Sequence, residues 1–246
     1  MERLNRVQKE NRRRIVELTY RHKLSHLGST LSAVDSIDAI YNVIEPNEKF
    51  ILSSGHAGLA QYVVLERHHK LDAEKILEHH GVHPDQCCQC HLDCSTGSLG
   101  QGLPIAVGMA LADRSKNVYC QVSDGEMAEG SIWEALRIAQ EQELGNLKVV
   151  LNMNGYGAYD EINTRALTAR VRAFQWRVLN VNGHNPDRLL GALLSGEEPD
   201  YLKDVLPPTL IVAKTNVEQL PFLKGLSAHY LTMNEDQYKQ AMEYLI

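Results

Sequence analysis

The sequence predicts a doubly wound, mostly parallel α/β sheet with helices on both of its faces. Short apolar segments rich in β-branched residues alternate with segments of helical periodicity along the whole chain. The clearest unit is a strand over 117–122, a helix with Ile132 and Leu136 at helical spacing, and a second strand over 147–152. The crossover connection in such a unit makes its two strands parallel.

Other segments extend this alternation toward both ends of the chain. A helix is predicted over 4–22, and another follows Ser32, which we interpret as an N-cap with Asp35 as its acidic partner. The later elements are helices over 164–174, 186–194 and 235–245 and strands over 177–181 and 209–213. A chain of this length can bury one large core, so we expect a single domain over 1–246.

Composition and charge exclude several classes of function. The net charge of −6 argues against a nucleic-acid-binding protein. No apolar run is long enough to span a membrane, and the charged N-terminal segment has no signal-peptide core, so we expect a cytoplasmic protein. We interpret the basic run of Arg12, Arg13 and Arg14 as a solvated helix face, because glutamates and apolar residues interrupt it.

Polar side chains follow two of the predicted parallel strands. Asp124 comes just after the first strand of the central unit, and Asn154 just after the second. Ligands of such sheets bind outside the carboxyl ends of the strands, so both residues should reach one crevice. A carboxylate, an amide oxygen and a nearby backbone carbonyl suit Mg²⁺ or Ca²⁺. Gly125 allows the backbone to come close to a phosphate.

Two histidines and a glycine-rich loop precede helices elsewhere. His26 lies in a loop at 25–29, and His56 follows a Ser-Ser-Gly turn, where a helix N-terminus and an imidazole could together hold an anionic ligand. Three glycines at 96–102 open an apolar helix and form a backbone cradle for phosphate or for a flat ring.

Four of the five cysteines are clustered. Cys87, Cys88, Cys90 and Cys94, with His91 among them, are spaced too tightly for the usual paired zinc knuckles, and no second pair exists elsewhere. The cluster also differs from a disulfide framework spread over a secreted domain. We expect free thiols in an irregular loop, with structural zinc as the alternative.

The order of these motifs resembles the transketolase family. SHLGS at 25–29 is similar to the family's Ser-Gly-His-Pro-Gly-Ser loop, and FILSSGHA at 50–57 to its Phe-Ile-Leu-Ser-Lys-Gly-His-Ala segment. VHPD at 82–85 resembles Gly-His-Pro-Glu, and TGSLGQG at 96–102 resembles the family's glycine-rich loop.

The central unit adds a further resemblance, to the thiamine diphosphate motif of that family. Asp-Gly at 124–125 is followed at the family's spacing by Asn-Gly at 154–155, with Ser123 in place of the first glycine. Two longer stretches also depart from the family. The chain carries the cysteine cluster, and at 214–229 it lacks the family's Gly-Lys-Gly-type loop.

The resemblance implies thiamine diphosphate and Mg²⁺ (or Ca²⁺) as cofactors and assigns a role to each site residue. The metal ligands are Asp124, Asn154 and the carbonyl of Tyr156. The diphosphate is lined by His56, Ser98, Gly125, Glu126 and His229, and the aminopyrimidine by Gly97 and Leu99. Protons on the sugar are handled by His26, His83 and His229, and Glu129 joins an acidic network between the two active sites.

The resemblance also implies a partner. By this resemblance we expect the chain to cover the family's diphosphate-binding domain and to lack the pyrimidine-binding domain. We therefore expect the N-terminal subunit of a split transketolase, inactive without its C-terminal partner, that transfers a two-carbon ketol group between sugars or sugar phosphates. A homodimer or a heterotetramer is expected. The alternatives are the alpha subunit of a 2-oxo-acid dehydrogenase and a non-catalytic regulatory subunit.

Overall fold

Five parallel strands form one sheet in the order β1-β2-β3-β5-β4. The structure is a computed structural model that describes residues 4–157, 160–195 and 206–246. The strands are β1 (Lys49–Leu52), β2 (Val118–Ser123), β3 (Leu147–Met153), β4 (Arg177–Asn182) and β5 (Thr209–Lys214). The predicted fold class is confirmed, and the strands predicted with both bounds differ from the observed ones by at most one residue at either end.

Helices cover both faces of this sheet. They are α1 (Arg6–Arg21), α2 (Leu27–Tyr41), α3 (Gly58–His69), α4 (Ala73–His80), α5 (Gly102–Ala112), α6 (Gly130–Glu141), α7 (Thr164–Arg172), α8 (Pro186–Leu194), α9 (Ser227–Tyr230) and α10 (Glu235–Tyr244). None of the helices in the described parts of the chain is long and apolar enough to cross a membrane.

The alternation of side chains along the strands builds two hydrophobic cores. Phe50 and Leu52 of β1 pack into the core beneath α1 to α4 and α8, whereas Ile51 between them packs into the core beneath α5 to α7. In β5, Ile211 packs into the first of these cores and Leu210 into the second. Successive strand residues point to opposite faces of the sheet. Because helices cover both faces, both sets of side chains are buried, and the strands are mostly apolar along their whole length. Each fully buried leucine or isoleucine stabilises the fold by roughly 1.5–3 kcal/mol.

Arg12 corrects one prediction, because its side chain is fully buried and does not lie on a solvated face. Its guanidinium donates to both carboxylate oxygens of Asp35 in α2, at 2.8 and 2.5 Å. His184 joins the pair from the turn after β4, with Nδ1 2.8 Å from Asp35 Oδ2. The buried carboxylate therefore holds α1 and α2 to the turn at the end of the sheet, and His184 is a structural turn residue.

The start of α2 corrects another prediction. Ser32 is not the N-cap; it lies buried within the helix, and its hydroxyl donates to the carbonyl of Ser29 at 2.9 Å. The N-cap is His26, whose left-handed backbone (φ 64°) turns the chain directly into the helix. Its amide is fixed by the carbonyl of His229 at 2.9 Å. Asp35 is accordingly free to pair with Arg12.

Candidate active site

A cavity of about 780 Å³ opens at the carboxyl ends of β2 and β3. All predicted site residues except Ser98 line it, namely His26, His56, His83, Gly97, Leu99, Asp124, Gly125, Glu126, Glu129, Asn154, Tyr156 and His229. Ser98 is exposed and lies outside the lining, although both of its neighbours face the cavity. The parallel sheet therefore brings together side chains that are far apart in sequence.

Asp124 is the buried charge of this cavity. Its side chain is only 2% exposed, and its carboxylate accepts hydrogen bonds from the backbone N–H groups of Gly155 at 2.6 Å and Gly125 at 3.1 Å. Burial raises the pKa of the carboxyl to about 7. Within the described ranges it has no ion pair with a lysine or arginine. A carboxylate in this position needs a cation or a proton.

Oxygen atoms that suit such a cation lie beside it. The side-chain oxygen of Asn154 accepts from the N–H of Tyr156 at 2.9 Å, which orders the turn after β3. A Cβ added at Gly125 would lie 3.6 Å from the Tyr156 carbonyl oxygen and 3.1 Å from Gly157 Cα, so the two turns approach closely here and a side chain would crowd Gly157. The donor set of carboxylate, amide and carbonyl oxygens fits Mg²⁺ or Ca²⁺.

Glu126 connects the Asp-Gly turn to the glycine-rich loop. Its fully buried carboxylate accepts from the hydroxyl of Ser53 at 2.6 Å and from the N–H of Gly100 at 2.8 Å. Burial raises its pKa. The hydroxyl of Ser131 donates to the carbonyl of Gly100 at 2.7 Å, so both polar groups of that residue are held. Glu126 thus positions the loop that carries Gly97 to the cavity.

Three histidines form a cluster on another wall. The ring centroids of His26 and His229 are 4.4 Å apart, and His56 lies 5.4 and 5.6 Å from them. Burial, with the neighbouring histidines, lowers the pKa of His26 to about 4 and of His56 to about 3, and burial lowers the pKa of His229. The imidazoles of His26 and His56 are therefore neutral at neutral pH, and each keeps a nitrogen that can accept a hydrogen bond.

Close backbone contacts hold these histidines in place. A Cβ on Gly28 would lie 2.8 Å from the Cβ of Ala228, so the absence of a side chain at this position of α2 lets α9 approach. His83 packs on the backbone of Gly97, where an added Cβ would lie 2.9 Å from its ring. Glu129 is exposed at the N-cap of α6. The cavity wall is thus assembled from glycine contacts as well as from side chains.

Sequence reasoning missed part of the lining. Trp133 of α6, with its indole N–H bonded to the carbonyl of Met127 at 2.8 Å, closes one side, and Arg170 of α7 reaches the same cavity. Asp160, Ile162, Asn163, Ala166 and Leu167 also line it. The helical pattern of 164–174 predicted α7 but carried no sign of the face that would meet the cavity.

Comparison with known proteins identifies the family. Residues 22–243 match the family described as "Transketolase, thiamine diphosphate binding domain". One subunit of the apulose-4-phosphate transketolase of Phocaeicola vulgatus is 29% identical, over 98% of this chain and 93% of that protein. The 6-deoxy-6-sulfo-D-fructose transketolase subunit SqwG of Clostridium sp. (strain MSTE9) is 31% identical, over 90% of this chain and 88% of that protein.

Longer relatives match over part of their length. Human transketolase is 35% identical over 69% of this chain, but the match spans only 28% of that protein. In fold, the chain resembles the transketolase of Campylobacter jejuni subsp. jejuni with a TM-score of 0.81 at 22% identity, over 99% of this chain and 43% of that one. The predicted resemblance is confirmed, and this chain belongs to the transketolase family, as its thiamine diphosphate binding domain.

Proposed function

We propose that this chain is the N-terminal subunit of a thiamine diphosphate-dependent transketolase and transfers a two-carbon ketol group together with a C-terminal partner. The observation that carries the proposal is Asp124, a buried carboxylate with no ion pair within the described ranges, next to the oxygens of Asn154 and Tyr156. The relatives of similar length support this function, since both are named as transketolase subunits. Neither alternative from the sequence is favoured by those names.

The oxygen-lined end of the sheet would hold the cofactor through a metal. Asp124, Asn154 and the Tyr156 carbonyl are the proposed ligands of Mg²⁺ (or Ca²⁺), whose charge neutralises the diphosphate. His56, His229 and the backbone at 125–126 would line that diphosphate. Thiamine diphosphate, when bound, supplies a carbanion and an electron sink, while the protein binds and orients it.

The glycine-rich loop would face the aminopyrimidine through Gly97 and Leu99. Its position depends on Glu126, whose carboxylate is already engaged by Ser53 and Gly100. We therefore assign Glu126 a positioning role in addition to the predicted contact with the diphosphate. Ser98 at the diphosphate and Glu129 in an acidic network between active sites stay predictions.

The histidine cluster would move protons at the sugar. His26, His83 and His229 are proposed to take protons from, and return them to, the hydroxyl and carbonyl oxygens of the substrate. The hydroxyls of Ser25 and Ser29 lie 2.8 and 3.2 Å from Nδ1 of His26 and His229, which leaves Nε2 for the substrate. Because burial keeps the imidazoles of His26 and His229 uncharged, each Nε2 can accept a hydrogen bond from a substrate hydroxyl, the contact through which a proton would move.

We propose anionic sugars, such as sugar phosphates, as substrates. One relative is named for apulose-4-phosphate and the other for 6-deoxy-6-sulfo-D-fructose, and both names place an anionic group on a sugar. Arg170 lines this chain's cavity and offers a positive charge to such a group. The partner's domain would complete the substrate site.

The partner is proposed to carry the pyrimidine-binding domain and to form a heterotetramer with this chain; a homodimer is expected in its absence. Helix α5, next to the glycine-rich loop, exposes Ile105 and Leu111, each 38% accessible. Obligate interfaces are more hydrophobic than other interfaces, and these two residues would contribute to one. A cytoplasmic location stays a prediction.

Calorimetry of the isolated chain tests the metal and cofactor site. Titration with thiamine diphosphate should show weak binding that requires Mg²⁺, and Asp124→Ala should abolish it because the metal loses its carboxylate. Asp236→Ala, a change of an exposed acid in the first turn of α10, is the matched control and should bind as the wild type does. Binding that survives Asp124→Ala or a chelator would contradict the assignment.

Assembly and turnover are tested separately. Light scattering should show association of the chain with the C-terminal partner, and ketol transfer should require both proteins. If the two never associate and this chain alone transfers a ketol group, the split-subunit proposal is wrong.

A further inference from the structure

Three side chains outside the cavity lining converge close to it. His80 ends α4, and Cys87 and Cys90 lie in the loop that follows; their ligand atoms are all within 4.8 Å of one another. His80 Nε2 is 3.5 Å from Cys90 Sγ. Zinc bonds of about 2.0–2.1 Å to nitrogen and 2.3 Å to sulfur, in tetrahedral geometry, separate two such ligands by roughly 3.5 Å. The spacing is therefore that of two ligands of one ion.

The loop backbone also favours a metal at this position. The N–H of Cys90 points to Cys87 Sγ at 3.3 Å, so the backbone of the turn fixes the position of this sulfur. Cys87 and Leu92 form an antiparallel bridge with hydrogen bonds of 2.9 and 3.0 Å, which closes the turn. His91 completes it with a left-handed backbone, φ 54°. The two sulfurs are thus presented on one side of a short, hydrogen-bonded turn.

We propose that His80, Cys87 and Cys90 bind one Zn²⁺, with water in the fourth position. The sequence favoured free thiols because it offered no second cysteine pair, but the fold supplies an imidazole from α4 instead. Two thiolates and an imidazole form a soft nitrogen–sulfur set that suits zinc, unlike the oxygens around Asp124. Binding displaces one proton from each thiol and changes no oxidation state.

The zinc would fasten a segment of the active site at both of its ends. His80 stands just before segment 81–86 and Cys87 just after it, and this segment carries His83 to the cavity. The ring of His83 rests on Gly97 of the glycine-rich loop. The proposed role of the ion is therefore to position His83, and its three ligands lie outside the cavity lining.

Metal titration of the reduced, full-length chain tests this site without thiamine diphosphate. We expect one Zn²⁺ per chain by elemental analysis after dialysis. Co²⁺ in its place should give the absorption of a tetrahedral cobalt–thiolate site. Zinc should also slow amide hydrogen exchange in segment 81–92, because the ion cross-links α4 to the turn.

The zinc affinities of single variants distinguish the proposed ligands from neighbouring residues that do not bind the ion. Cys90→Ser and His80→Ala should weaken zinc binding by more than the roughly 10–100-fold that loss of an outer-shell partner costs. Cys88→Ser, which changes the exposed neighbouring thiol, is the matched control and should bind as the wild type does. His80→Cys should restore binding, which keeps the test valid if His80→Ala is poorly folded.

Three results would overturn the proposal: no zinc retained by the reduced chain, equal affinity in wild type and Cys90→Ser, or a Cys87–Cys90 disulfide that forms in preference to the zinc complex. None of them bears on Mg²⁺-dependent cofactor binding, so failure here is distinguishable from failure of the proposed function.

Discussion

Two buried aspartates of this protein have opposite electrostatic surroundings. Asp35 is 4% exposed and Asp124 is 2% exposed, so burial alone would disfavour the charge on both. Burial does oppose the charge of Asp35, but Arg12 and His184 outweigh it and hold its pKa below the usual range. Within the residues that the structure describes, Asp124 has only backbone N–H partners, and burial raises its pKa to about 7.

The difference separates a structural charge from a functional one. The fold neutralises Asp35 with its own cation and thereby joins α1 to α2. At Asp124 the described chain supplies no cation, and the carboxylate lies in an open cavity with other oxygen donors beside it. An unneutralised buried charge lowers stability, which is a common cost of a binding site. Substitutions at three residues, Arg12, Asp124 and Glu126, test this comparison.

The largest expected change in stability comes from removing Arg12, the cation that neutralises Asp35. Arg12→Ala should lower the free energy of unfolding by about 3–5 kcal/mol, because it leaves a buried carboxylate unpaired. Urea unfolding measures the change. Arg13→Ala is the matched control from the same basic run, and it should cost within about 0.5 kcal/mol because its side chain is partly exposed. A loss below about 1 kcal/mol in Arg12→Ala would mean that Asp35 does not depend on this pair.

Removing the charge of Asp124 should change the free energy of unfolding in the opposite direction and stabilise the folded chain. Asp124→Asn should stabilise the metal-free chain at pH 8 by up to a few kcal/mol, at about 1.4 kcal/mol per unit of pKa shift, less about 1–3 kcal/mol for the backbone N–H that then faces the amide nitrogen instead of an oxygen. The same substitution should abolish Mg²⁺ binding. Thermal unfolding at pH 5 and pH 8, without metal, measures the gain.

The pH dependence follows from the direction of the shift. The ordinary pKa of 3.8 rises to about 7 in the folded chain, so the folded state binds the extra proton between these values. The contribution of Asp124 to stability therefore falls as the pH rises through this window and is constant above it. The difference in the free energy of unfolding between wild type and Asp124→Asn should be larger at pH 8 than at pH 5. A difference that does not change with pH would rule out titration of Asp124 in this range.

The same contrast explains what the sequence could predict. Asp124 follows a strand whose alternation and turn are local signals, so its place at the strand ends was predictable. The partners of Arg12 are not local: Asp35 and His184 reach it only after three elements have packed together. His80 is a similar case, because the spacing of the cysteines gives no sign that the end of α4 lies beside them.

Glu126 is a third buried carboxylate and sharpens the comparison, because it is fully buried and has no lysine or arginine partner in the described part of the chain. Its Oε1 accepts from both Ser53 and Gly100, while Oε2 is 3.4 Å from the N–H of Ser123. Its pKa is raised by burial. We infer that its hydrogen bonds, and not its charge, hold the glycine-rich loop.

Glu126→Gln should therefore have the smallest effect, within about 1 kcal/mol, because the amide oxygen keeps both bonds of Oε1 and only the long contact to Ser123 is lost. Glu126→Ala should cost more, about 1–3 kcal/mol, because it leaves the Gly100 N–H and the Ser53 hydroxyl buried without an acceptor. Urea unfolding compares the two, and hydrogen exchange at Gly100 should be faster only in Glu126→Ala. Equal losses in both variants would show that the charge of Glu126 matters, and would place it with Asp124 as a group that needs a cation.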